Sequence, residues 1–210
     1  MYKLKKNWVR LVAHTAALLP LAFLIWDFTQ DRLTVNPIQA IQLRTGKYAL
    51  VLLVITLAAT PVSRLFSSRQ VLALRRPLGL YAFLYTSLHL LNFLVLDYRF
   101  DFFLIKEDLF EKRFAIAGFI AFLCLLPLAI TSTRGWIVRL GKRWKNLHRL
   151  IYPAAVLAVV HFGWQVKADI REPLGYGVIV LLLLLVRLPV IKSLLIGFRD
   201  RLRSGGESTS

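Results

Sequence analysis

Cysteine is almost missing from this 210-residue chain: Cys124 stands alone, inside an apolar run. That excludes a disulfide framework, a cysteine-ligated iron–sulfur cluster and covalent haem attachment through C-x-x-C-H. Cys124 itself reads as buried filler. Acidic side chains are also scarce, 11 against 28 Lys and Arg. No glycine-rich nicotinamide motif is present, and no nucleophile–base constellation or carboxylate pair suggests hydrolysis. The period-two alternation of a membrane barrel is lacking. No internal repeat and no separate soluble domain is visible in the sequence.

Apolar residues are what the chain has in abundance. They make up 57% of it, and mean hydropathy is +0.60. Such a composition points to a multi-span membrane protein. The net charge of +17 would by itself suggest a nucleic-acid partner. The basic residues instead fall in short runs between apolar segments, the pattern of loops on one membrane face. Membrane lipid is therefore expected as a partner, and nucleic acid is not.

The apolar runs cover about 8–26, 46–62, 78–96, 114–130, 150–166 and 174–195. Each is long enough to cross a hydrocarbon core of about 30 Å as a helix. The first follows Lys3, Lys5, Lys6 and Arg10, as in a signal peptide. No small-residue cleavage site follows, so it is read as a retained span. Sorting the connections onto two faces puts nineteen basic and two acidic residues on one and nine of each on the other. The expected fold is all-α: a polytopic six-helix bundle over 1–203, both termini cytoplasmic, then a polar tail over 204–210. The loop from Asp97 to Arg113 mixes charge with Phe100, Phe102, Phe103 and Phe110. It reads as a short interfacial helix or as a docking surface for an outside partner.

The candidate site lies on two spans that run the same way. His89 stands twelve residues after Pro77, and His161 twelve after Arg149. At 1.5 Å per residue both lie about 18 Å from the cytoplasmic boundary, leaving about 12 Å to the outside. Two imidazoles at equal depth suit the axial positions of a haem iron in an electron carrier. The competing reading is an interhelical hydrogen bond at each. Tyr81, Tyr85, His89 and Asn92 share one helix face, and Ala154 and Ala158 leave room near His161. His148 sits at the cytoplasmic entrance, thirteen residues before His161, but the position thirteen before His89 is Arg76. His14 is the other imidazole near that depth. Arg75 and Arg76 suit haem propionates, a flavin phosphate or a lipid headgroup. Arg187 reads as snorkelling to the inner surface. The basic loop carrying Trp136 and Trp144 reads as an inner-leaflet anchor or as a docking surface for a cytosolic reductase.

Four stretches carry a resemblance: Arg75–Leu91, Thr131–Trp136, Leu140–Tyr152 and His161–Lys167, joined by Thr45–Gly46 and the H-x-x-x-L-L-P of His14–Pro20. Together they resemble the MsrQ family, formerly YedZ, within the ferric-reductase-like transmembrane superfamily. The resemblance covers nearly the whole chain. It implies one or two b-type haems, a bacterial inner-membrane location, and electron delivery to a periplasmic molybdopterin-containing methionine-sulfoxide reductase. The implied donors are the quinone pool or a cytosolic flavin reductase, with FMN as a further cofactor. His89, His148 and His161 match the family's haem-linked histidines. Ferric reductases pair two histidines on each of two helices, and this chain has Arg76 at the fourth position. The rival readings are a self-contained metal reductase, a cytochrome subunit of another dehydrogenase, and a transporter or scaffold without redox activity.

Overall fold

The structure is a computed structural model describing residues 2–166 and 169–187. Among the described residues every regular element is a helix. α1 spans Tyr2–Thr29, α2 Pro37–Leu65 and α3 Arg69–Leu91, which ends in a π-helical turn over Asn92–Asp97. α4 (Phe102–Glu111) is short and precedes α5 (Arg113–Ile130). Two short helices, α6 (Arg134–Leu140) and α7 (Lys142–Leu147), lead through a 3₁₀ turn at His148–Leu150 into α8 (Ile151–Gln165). α9 covers Arg171–Leu185. Five helical segments are long and apolar enough to cross a membrane. The expected sixth span begins in α9. Its remainder, with the polar tail, lies outside the described residues.

Local chemistry sets the helix ends. Asn36 caps α2 by accepting from the Gln39 N–H, and Pro37 follows where its missing N–H costs nothing. At the other end Ser67 adopts a positive φ of 52° and the Ser63 hydroxyl donates to the Ser68 carbonyl. This tight turn makes α2 and α3 antiparallel neighbours. Within the spans, Thr45, Thr56, Thr86 and Thr131 donate to carbonyls one turn back, since hydrocarbon offers no partner for a hydroxyl.

The core is thin and made of small and branched residues. Leu53, Leu57, Ala82, Tyr85, Ala154 and Ala155 are at most 3% exposed. Cys124 packs beside this cluster as a partly buried filler. Tyr85 is completely buried, and its hydroxyl donates to the Ala17 carbonyl at 2.8 Å, tying α3 to α1. The outside is equally apolar: Leu11, Leu18 and Phe23 of α1 and Val178, Leu181 and Leu182 of α9 are exposed. Water would not tolerate such a continuous surface, whereas lipid solvates it. The protein is a membrane protein.

The tertiary structure also shows a repeat that the sequence hid. α2 packs most extensively on α3, and α5 on α8. The two pairs match at several positions around their histidines: Ala82 and Ala154 are both buried, each seven residues before its histidine. Few side chains are shared between the halves, so no repeat is legible in the residue types.

Candidate functional site

His89 on α3 and His161 on α8 face each other, with ring centroids 5.9 Å apart and ring planes at 90°. Each imidazole is anchored the same way. The His89 Nδ1–H donates to the Gln42 carbonyl at 3.0 Å, and the His161 Nδ1–H to the Phe114 carbonyl at 2.7 Å. In both halves 47 residues separate donor from acceptor. A glycine one turn beyond each carbonyl, Gly46 or Gly118, lies against the ring. This arrangement fixes the tautomer: Nδ1 carries the proton and Nε2 keeps its lone pair. Metal-bound histidines are typically held in this way, with the second nitrogen donating to a carbonyl or carboxylate.

The spacing fits a single metal between the rings. Two metal–nitrogen bonds of about 2.0 Å place the ring centroids about 6 Å apart. Among the described residues no group of three or more His, Cys, Asp or Glu side chains gathers. The donor set would be the two imidazoles, a pair that suits haem iron. One protein contact must yield: the Gln42 amide Nε2 lies 3.2 Å from His89 Nε2 and donates to it. Asn92, 4% exposed, donates to Gln42 Oε1 at 2.6 Å and to the Ile38 carbonyl, while its own Oδ1 has no partner.

The site lies nearer one end of the bundle than helix counting gives. His161 is four residues, about 6 Å, from the end of α8 at Gln165, and Gly118 is five residues, about 8 Å, into α5. Lys47, next to Gly46, pairs with Glu172 in the first turn of α9 at 2.7 Å, with both side chains about half exposed. Arg44 pairs with Asp27 nearby. Charge at the level of the histidines marks the edge of the apolar layer. The same end carries α4, with Phe102, Phe103 and Phe110 exposed.

At the opposite end a cavity of about 320 Å³ opens between α2, α3, α5, α7 and α8. Arg75, Arg76, Ser132, Trp144 and His148 are among its lining residues. Trp144 stacks on His148 with centroids 3.9 Å apart, and His148 Nε2 meets the Thr131 hydroxyl at 3.2 Å. The Trp144 indole N–H donates to the Thr131 carbonyl. No second histidine lines this cavity; Arg76 holds the position equivalent to His148. Among the described residues no ion pair involves Arg75, Arg76 or Arg187. Unneutralised guanidinium groups beside a stacked indole suit a flat ring with an anionic arm.

Arg187 does not snorkel. It donates to the Leu57 carbonyl at 2.7 Å and lies over the Tyr152 ring, 4.8 Å from its centroid. The reason is Pro61. Four residues after Leu57 it has no N–H, so the Leu57 carbonyl loses its helical donor. His14 is likewise placed elsewhere than beside His148: its Nδ1 meets the Tyr81 hydroxyl at 2.8 Å on an exposed face of α1. Sequence reasoning missed Gln42, Phe114 and Gly118. The first and third are a polar residue and a glycine inside apolar helices, which is a usable signal. Phe114 accepts through its backbone carbonyl, which leaves no trace in residue type, and its ring centroid also lies 6.0 Å from that of His161.

Residues 45–159 match the family described as ferric reductase like transmembrane component. A protein of Xanthomonas axonopodis pv. citri, named protein-methionine-sulfoxide reductase heme-binding subunit MsrQ, is 48% identical over 179 residues, 82% of each chain. A Rhodospirillum rubrum protein of the same name is 46% identical over 180 residues, 85% of this chain and 86% of its own. No solved structure matches the chain significantly.

Proposed function

Since the chain belongs to the MsrQ family of heme-binding subunits of protein-methionine-sulfoxide reductase, we propose that it is a b-type cytochrome of the bacterial inner membrane. In this reading it passes electrons to a periplasmic molybdopterin-containing methionine-sulfoxide reductase and so supports repair of oxidised proteins. The observation that carries the reading is the His89–His161 pair, 5.9 Å apart with both Nδ1 atoms engaged by carbonyls.

Bound haem supplies a reversible one-electron couple. The protein does the rest. His89 and His161 would hold the haem through their Nε2 atoms, since both Nδ1 atoms are engaged by carbonyls. Tyr85 and Thr45, both essentially buried, help close the bundle beside the site. The excess of positive charge on the opposite face makes that face cytoplasmic, with both termini inside. The histidine site then lies near the periplasmic edge, within reach of an outside partner. The cavity at His148 lies near the donor side, where quinol or a cytosolic flavin reductase delivers electrons. Arg75 and Arg76 there would hold the phosphate of FMN or the propionates of a second haem.

The absorption spectrum of the purified full-length protein tests the cytochrome reading. A Soret band and a sharp reduced α-band are expected, with at least one haem per chain. Haem-supplied preparations without a Soret band would sink it. His148→Ala tests the second site: release of FMN, or a fall of one haem per chain, is expected with the His89–His161 haem retained. Unchanged haem and flavin content would exclude His148 from cofactor binding.

A further inference from the structure

Glycine inside a membrane helix is unremarkable until a neighbour depends on it, and at Gly46 and Gly118 one does. A Cβ at Gly46 would stand 2.9 Å from His89 Cε1 and 3.0 Å from its Nδ1. At Gly118 it would stand 2.6 Å from His161 Nδ1 and 2.9 Å from its Cε1. Contacts this short force movement, and both involve the imidazole itself. Gly135, Gly141 and Gly175 have nothing within 4 Å. The two critical glycines occupy equivalent places in the two helix pairs, each one turn after the carbonyl that receives the imidazole Nδ1–H.

We propose that Gly46 and Gly118 are positioning residues, which with the Gln42 and Phe114 carbonyls form two equivalent cradles that hold the axial imidazoles crossed and Nδ1-protonated. This inference rests on the cytochrome reading for its consequences at haem, though the cradles themselves are features of the protein. Each cradle removes one freedom twice over. The glycine admits the ring edge against the α2 or α5 backbone, and the carbonyl fixes rotation about the Cβ–Cγ bond. The ring planes stand at 90°. Crossed imidazole planes leave the two iron orbitals that interact with them nearly equal in energy, which gives a strongly anisotropic low-spin ferric spectrum. Parallel planes split those orbitals and give a rhombic one. The Nδ1–H···O=C bond also makes each ligand more basic, which favours ferric iron and lowers the midpoint potential.

The test compares wild type, Gly46→Ala, Gly118→Ala and, as a control, Gly135→Ala in the full chain. Wild type and Gly135→Ala are expected to show the anisotropic low-spin EPR signal. Gly46→Ala and Gly118→Ala are expected to shift it toward rhombic and to raise the midpoint potential. Gly46→Ala, with the milder overlap, keeps the comparison available if Gly118→Ala does not fold. A second readout needs no haem. In ¹⁵N-histidine spectra of the haem-free protein, His89 and His161 are expected as Nδ1–H tautomers, and each alanine variant is expected to lose that state for its own histidine. Unchanged EPR, potential and tautomers in both alanine variants overturn the cradles. Wild-type protein that binds no haem overturns the cytochrome reading instead, and the tautomers alone then decide on the cradles.

Discussion

His89→Ala and His161→Ala are each expected to abolish the low-spin haem signal, while the apoprotein stays folded in detergent. The two substitutions should be equivalent, because a haem held by two axial imidazoles loses its low-spin character when either leaves. The structural cost is expected to be small by comparison. Each histidine makes one hydrogen bond to a helix carbonyl, and His89 also accepts one from the Gln42 amide; such a bond contributes about 0.5–1.5 kcal/mol. Circular dichroism should thus show unchanged helix content where the Soret band has gone. The competing account, in which each histidine only joins two helices, makes the opposite forecast: full haem and lower thermal stability in both variants. Retention of full haem by both would remove the ligand assignment, whatever cofactor the chain carries elsewhere.

The second large effect concerns stability. Arg187→Met is expected to destabilise the protein by about 1–3 kcal/mol, the cost of a buried polar group left without its partner. The group is the Leu57 carbonyl, which Pro61 cannot serve. Pro61→Ala restores a backbone N–H at that position. In that background Arg187→Met should cost much less, leaving mainly the loss of stacking on Tyr152, about 0.5–2 kcal/mol. Thermal unfolding of the four proteins in one detergent gives the coupling between the two sites. Equal losses in both backgrounds would show that Arg187 acts through Tyr152 and not through the carbonyl. The pairing also explains why a guanidinium is held at this depth. Its Nε has no partner, yet two opposing needs, a proline kink and a buried cation, offset each other.

Much of this protein is legible in its residues. Five apolar runs expected as spans are helices here, and a Pro, a Gly or a cluster of polar residues lies near their ends. Continuous hydrophobicity at this length has few solutions in lipid, so helix existence follows from composition alone. His89 and His161 were also recoverable, since equal spacing from the start of two co-directional spans puts them at one depth. The depth itself was less secure. Counting from the basic end of the two spans leaves about 12 Å to the far boundary, whereas the ion pair of Lys47 with Glu172 sets the charged edge at the level of the site. A helix count measures distance along one axis and does not know where neighbouring helices begin.

The sequence by itself determined that the chain is a membrane-spanning helical protein with two matched histidines and a strongly basic face. Tertiary structure decided how those histidines are held. The carbonyls of Gln42 and Phe114 have no side-chain identity, and Gly46 and Gly118 acquire meaning only when a ring from another helix lies against them. The equivalence of α2–α3 with α5–α8 was hidden for the same reason: backbone geometry repeats, while lipid-facing side chains are free to differ as long as they remain apolar. The histidines follow from residue type and spacing. Their orientation follows from close approach between helices, which depends on contacts distant in sequence.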